Sequence, residues 1–290
     1  MKKNTKKQII IDVLILLIIL LVGVYRYIEG ERAASLVSGT VEIHIIDVGQ
    51  ADSVLVKTDL GNLLIDAGSN DSEQELINYL DSLNVSDFEY CIFTHPHEDH
   101  IGGADVIMDD YDVRNVIVSP AGSSSVSYDR FLDSLERSNA NVIEAVPDSK
   151  YMLGELEIFI MGPIVVGDER DANNSSVVTR LSYGANRMLF TGDAEKLQET
   201  DLLEKYSSFE LDADFLKAGH HGSSTSNSEA FLKAVSPSLS AISCGDDNSY
   251  GHPHREVIML FEKLGVEYQR TDEFGDIVYV CNGKTIKLKE

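Results

Sequence analysis

Basic residues are scarce in this chain. Lys and Arg total 24 against 48 Asp and Glu, a formal net charge of -24. Nucleic-acid affinity rests largely on Lys and Arg neutralising phosphates, so an extended polyanion-binding surface is disfavoured. A bound divalent cation changes that field locally but not over the whole surface. Most of the acidity serves solubility. Cysteine is scarce too. Cys91, Cys244 and Cys281 are an odd, scattered set within apolar runs, which excludes a disulfide framework and zinc-finger spacing and leaves three buried thiols. No repeat of short fixed period is visible, which argues against a solenoid. The remainder is ordinary for a globular protein: 290 residues, 43% hydrophobic and 25% charged, enough for one large domain or two small ones.

The N-terminus departs from that average. Lys2, Lys3, Lys6 and Lys7 precede an apolar run from Ile9 to Ile28, in which Asp12 is the one charge before Arg26. A membrane-spanning helix needs ~20 such residues, and a signal peptide only ~7–15. Ala33-Ala34-Ser35 resembles a cleavage site but lies well past the run, so an uncleaved anchor over residues 1–28 is expected. The lysines place the N-terminus in the cytoplasm and the rest of the chain outside. Residues 29–40 read as a polar linker and 41–290 as the domain. Removing residues 1–26 takes away five basic residues and one acid, leaving 19 against 47, or -28.

Within the domain, Val41 to Asp47 alternates like a strand, and Ser53–Thr58 and Asn62–Asp66 continue a meander. Further strands are expected at Tyr90–Phe93, 116–118, 142–146, 156–161, 176–181, 187–190, 213–217, 241–243, 277–280 and 285–288, with helices between many of them. The early meander makes the sheet mixed rather than purely parallel.

The chemistry concentrates after Tyr90-Cys91-Ile92-Phe93. There Thr94-His95-Pro96-His97-Glu98-Asp99-His100-Ile101-Gly102-Gly103 packs three of the eight histidines and an aspartate into six residues. In an extended loop, residues i and i+2 point the same way, so His95 and His97 can share one metal. Asp99 and His100, past the bend, can face a second. Imidazole with carboxylate suits zinc, and also manganese or iron. Asp193, after Thr191-Gly192, is placed either to bridge two metals ~3.5–4 Å apart or to cap the following helix. The glycine-flanked pair His220-His221 ends another strand, and one of the two can complete the second metal.

The motif His95-Pro96-His97-Glu98-Asp99-His100 resembles the HxHxDH signature of the metallo-β-lactamase fold. Asp47-Val48-Gly49-Gln50-Ala51-Asp52-Ser53 and Leu64-Ile65-Asp66-Ala67-Gly68 resemble segments of the hydrolase domain of the ComEC/Rec2 competence proteins. So do Asn173-Asn174-Ser175-Ser176, Phe190-Thr191-Gly192-Asp193, Lys217-Ala218-Gly219-His220-His221-Gly222-Ser223 and Tyr250-Gly251-His252-Pro253-His254, in that order. The similarity spans roughly residues 41–282.

The resemblance implies an α/β fold, an αββα four-layer sandwich with two divalent ions at one edge of its sheets. It implies His95, His97 and Asp193 at the first ion, and Asp99, His100, Asp193 and His221 at the second. His220 would then face the substrate, Asp99 would orient the attacking water, and Asp66 would buttress the loop. Asn174 and Ser175 stand where many members of the wider fold supply another histidine, which argues against β-lactamase activity. Ala51 replaces a glycine of the family segment. His252, in a turn, is either structural or a substrate contact, and His44 is structural.

The expected protein is a membrane-anchored extracytoplasmic hydrolase with two divalent ions, zinc or else manganese. An anionic phosphodiester is the favoured substrate, for a phosphodiesterase or nuclease that the resemblance links to DNA uptake or competence, although the charge disfavours nucleic acid. Hydrolysis of esters, lactones or cell-envelope phosphodiesters is the runner-up, and a non-catalytic metal-binding module is the alternative of another class.

Overall fold

The computed structural model describes residues 2–34, 37–167 and 170–289. It opens with helix α1 (Lys2–Ala34). By length and composition α1 can cross a membrane, and none of its most apolar window is buried. The helix continues past Ile28 through the first part of the stretch expected as linker.

Strands β1 (Val41–Ile45), β2 (Ser53–Thr58) and β3 (Gly61–Ala67) form the expected meander. Helix α2 (Glu73–Ser82) leads to β4 (Asp87–Phe93), α3 (Glu98–Ile101) and α4 (Ala104–Asp110) to β5 (Asp112–Val118), and α5 (Val126–Arg137) to β6 (Asn141–Glu144). The second half begins with β7 (Lys150–Leu153), β8 (Leu156–Gly162), β9 (Val178–Tyr183) and β10 (Asn186–Phe190). Helices α6 (Lys196–Lys205) and α7 (Ser208–Leu211) precede β11 (Phe215–Lys217), and α8 (Glu229–Val235) precedes β12 (Leu239–Ile242). The chain ends through α9 (Arg255–Leu264), β13 (Glu267–Arg270), α10 (Thr271–Phe274), β14 (Ile277–Cys281) and β15 (Ile286–Leu288).

Two sheets result, in the orders β15-β14-β1-β2-β3-β4-β5-β6 and β13-β12-β11-β10-β9-β8-β7. In each, a run of parallel strands (β3 to β6, β10 to β13) adjoins an antiparallel run. Side chains alternate across a strand, so one face of each sheet can meet the other sheet while its opposite face takes helices. Ile43, Ile65 and Ile92 accordingly pack against Ile158, Met188 and Phe215 in the central layer. Leu64, Cys91 and Val116 face Leu76, Ile107 and Phe131 of the first helical layer, and Leu189, Leu216 and Ile242 face Leu202, Phe231 and Phe261 of the second. This is the expected four-layer αββα sandwich, and all three cysteines are buried in it.

Two strands, β7 and β13, were not expected. They are the edges of their sheet, and they carry charged residues that break the apolar pattern, as edge strands commonly do.

Candidate metal centre

Ligands in open α/β sheets gather beyond the carboxyl ends of parallel strands, where backbone and side chains are free to converge. Here β3, β4, β10 and β11 deliver Asp66, the histidine loop, Asp193 and His220-His221 to one such end. Two local devices aim these groups. Gly192 has φ +51°, and a Cβ there would lie 2.8 Å from the Thr94 side chain, so glycine lets the end of β10 approach the histidine loop. His220 and His221 both occupy the left-handed region, at φ 51° and 52°. Consecutive non-glycine residues there are strained and cluster at functional sites. Asp193 does not cap a helix: α6 starts at Lys196 with Glu195 at its N-cap. Instead its backbone N–H donates to Ser176 Oγ at 3.2 Å.

The hydrogen bonds fix which nitrogen of each buried imidazole is available. Asp66, itself in the left-handed region, accepts from Thr94 N and Thr94 Oγ1 and from His100 Nδ1, all at 2.7 Å. The Thr94 hydroxyl proton is thereby committed, so Thr94 Oγ1 accepts from His95 Nδ1 at 3.1 Å. His221 Nδ1 lies 3.1 Å from the Ser243 carbonyl, which can only accept, and 3.3 Å from Asp52 Oδ1. Each Nδ1 therefore carries a proton and turns its Nε2 into the pocket, the nitrogen that a divalent ion can take in place of a proton. His100 Nε2 sits 3.2 Å from Asp193 Oδ1, and His221 Nε2 sits 3.3 Å from Asp99 Oδ2. His95 Nε2 lies 3.1 Å from His97 Nδ1 and 3.8 Å from Asp193 Oδ2.

The electrostatics follow from this packing. Burial works against the charge of Asp193, yet His100 and His221 hold its carboxyl well below the usual range. Asp52 is also held low against burial, by Lys217 and then His221. Burial disfavours charge on His221, but Asp193 and Asp52 hold it up at about 10.

A model of the "Metallo-beta-lactamase superfamily" matches residues 46–246, more than half the chain. The chain belongs to that superfamily. The chain is 29% identical over 256 residues to ComE operon protein 3 of Bacillus subtilis, covering 82% of this chain and 33% of that protein. It is 28% identical over 266 residues to Competence protein ComA of Neisseria gonorrhoeae, covering 90% of this chain and 35% of that protein. The chain thus spans about a third of the length of these curated relatives. Among solved structures, the metallo-beta-lactamase fold protein YhfI of Bacillus subtilis is similar at TM-score 0.56 and 14% identity, covering 83% of this chain and 100% of that one. CmlA, described as a diiron beta-hydroxylase from Streptomyces venezuelae, is similar at TM-score 0.52 and 15% identity, over 81% of this chain and 53% of that one. These two share the fold.

The residues at the metallo-beta-lactamase edge fit divalent ions. His100 Nε2 and Asp193 Oδ1 are buried without a hydrogen-bond partner, although they face each other. Two groups of donor atoms each lie within 4.8 Å of one another: Asp99, His100, Asp193 and His221, and His95, His97 and Asp193. Asp193 belongs to both. Separations of 3.1–3.3 Å between neighbouring donors are close to the edge of a tetrahedron with bonds of ~2.0–2.1 Å. His221, not His220, enters the ligand group. His220 stands at the rim, 21% exposed, with Nε2 3.5 Å from Asp193 Oδ2 and Nδ1 3.3 Å from Glu195.

Other expected residues lie around this pocket in different roles. Asn174 is tied to Asp171 and accepts the backbone N–H of Gln198, bracing the start of α6. Ser175 donates to the Asp171 carbonyl. Their side chains turn to Asp171, and their neighbour Ser176 is the residue that holds the Asp193 backbone. His252 stacks on His221, ring centroids 6.2 Å apart, and its Nδ1 meets Gln50 Nε2 at 3.2 Å. His44 is structural, with Nδ1 2.7 Å from the Tyr79 hydroxyl.

Sequence reasoning missed Asp52 and Lys217, a buried ion pair at 2.9 Å directly behind His221. The signal was present: each is a charged residue set beside an apolar strand, inside segments that resemble the competence proteins.

Proposed function

We propose that this chain is a metal-dependent hydrolase that acts on an anionic phosphodiester, held at a membrane surface by α1 with its domain outside the cell. The observation that carries this reading is the convergence of three imidazole Nε2 atoms on the shared carboxylate of Asp193, each imidazole locked by a protein acceptor on its other nitrogen. In this reading His95, His97 and Asp193 hold one divalent ion, and Asp99, His100, Asp193 and His221 hold the other. Zinc suits this nitrogen-rich set, and manganese is the second choice. Such ions, when bound, make water nucleophilic near neutral pH and neutralise a phosphoryl oxygen.

The chain's own residues do the rest. Asp99 is a third exposed at the mouth, where its outer carboxylate oxygen can orient a water and accept its proton. His220, braced by Glu195 and Thr225, donates a hydrogen bond to the anionic oxygen of the substrate. Asp66 and Asp52 keep His100 and His221 in the tautomer that leaves Nε2 free. The relation to competence proteins brings DNA into view, but an outer region at -28 disfavours an extended polyanion-binding surface, so a small or cell-envelope phosphodiester is the better substrate class.

The test is a panel of bis-aryl phosphodiester, single-stranded DNA and carboxylic ester, assayed with zinc and with manganese alongside metal analysis. About two ions per chain and turnover of the phosphodiester are expected, with Asp99→Ala folded but inactive. A folded protein that binds no metal, or an active Asp99→Ala variant, overturns the reading.

A further inference from the structure

A cavity of about 110 Å³ lies under α5, between its inner face and the ends of β4 and β5. Phe93, Ile101, Phe131 and Leu135 line it, and His95 with Pro96 lines it on the side of the histidine loop. Its lining is mostly carbon, and His95, Ser119 and Tyr128 are its polar side chains. Ser119 Oγ donates to the Ser175 carbonyl at 2.7 Å. His95 turns Nδ1 to Thr94 and Nε2 to His97 and Asp193, so its ring offers only carbon to the cavity. Such a largely apolar pocket, open on one side to solvent, favours an apolar group over ordered water, which needs two to four polar partners. It shares the imidazole of His95 with the candidate centre.

We infer that the cavity seats an apolar group of the substrate, about the size of one aromatic ring, carried on the ester oxygen that is not cleaved. The inference rests on the hydrolytic reading above and narrows it: the preferred substrate is a diester with one apolar arm. Ala121, half-buried at the cavity wall, is the handle for a test, since leucine there adds three carbons to the space.

Methyl 4-nitrophenyl phosphate and benzyl 4-nitrophenyl phosphate share a leaving group and differ only in the apolar arm. With the full chain in detergent and the metals above, kcat/KM for the benzyl diester should exceed that for the methyl diester by about ten- to hundredfold, the range that small apolar contacts give. Ala121→Leu should bring the ratio close to one. Equal values in the unaltered protein, or a ratio that Ala121→Leu leaves intact, overturn the subsite. If neither diester is hydrolysed, the hydrolytic reading fails by itself and the cavity is measured directly with 4-fluorotoluene by fluorine NMR. Binding that Ala121→Leu abolishes then supports the apolar seat, and absence of binding to the unaltered protein refutes it.

Discussion

His95, His97, Asp99 and His100 reach the pocket from one short loop of the first sheet, whereas Asp193 and His221 reach it from two strand ends of the second. Their supports differ in the same way. His100 is held by Asp66, from the neighbouring strand of its own sheet. His221 leans on Asp52, which precedes β2 of the opposite sheet and is paired with Lys217 at the end of β11. The loop side is thus locally self-sufficient, while the strand-end side exists only when the two sheets are stacked. The ion pair Asp52–Lys217 is both a brace for a candidate ligand and a buried tie across the sandwich.

The largest effect is expected where the two sides meet. Asp193 belongs to both ligand groups, so Asp193→Asn, which keeps the shape and removes the charge, should lower affinity at both. Altering an outer partner of a ligand costs ~10–100-fold in metal affinity, and loss of a shared ligand should exceed ~100-fold. Metal titration of the folded protein checks this. Retention of one tight ion would mean that the loop side binds without Asp193, and would sharpen the contrast between the sides.

The next effect isolates the cross-sheet tie. Lys217 and Asp52 are each at least 96% buried, by side-chain exposures of 2% and 4%. Removing one partner of such a pair leaves an unpaired buried charge and costs about 3–5 kcal/mol. Lys217→Met should therefore lower unfolding stability by that amount, and adding Asp52→Asn should restore much of it, measured by urea denaturation. Stability restored without metal affinity at the His221 side would separate the tie from the brace. The acid dependence has a definite sign. The Asp52 carboxyl is depressed in the folded state, so the pair's contribution is fully present above the unfolded-state value of ~3.9 and declines as pH falls below it. The stability gap between the unaltered protein and the double variant should narrow in acid below that point.

The same contrast explains what could be read before the fold was known. A strand followed by clustered histidines is a local pattern, and residues 41–67 alternate clearly enough to give their meander. The four-layer architecture followed from the ordered series of family-like segments. Partnership was harder. Asp193 looked as good a helix cap as a ligand because only the stacked sheets put it opposite His100. Asp52 and Lys217 were invisible as a pair, since a contact across 165 positions has no sequence periodicity. Asn174 and Ser175 drew notice through the family segment, but their side chains turn to Asp171. The serine that touches the site backbone is one residue further on.

That serine gives the smallest and finest test. Ser176 is buried, and its hydroxyl oxygen accepts the Asp193 N–H, so Ser176→Ala removes the acceptor and leaves the Asp193 side chain in place. One hydrogen bond of this kind contributes about 1 kcal/mol. A stability loss of that order is expected, with a fall in metal affinity well short of the Asp193→Asn effect. Equal weakening of both ions would mean that the Asp193 carboxylate moves as a unit when its backbone is released. Weakening confined to one would mean that each carboxylate oxygen is steered separately, by His95 on one side and by His100 on the other.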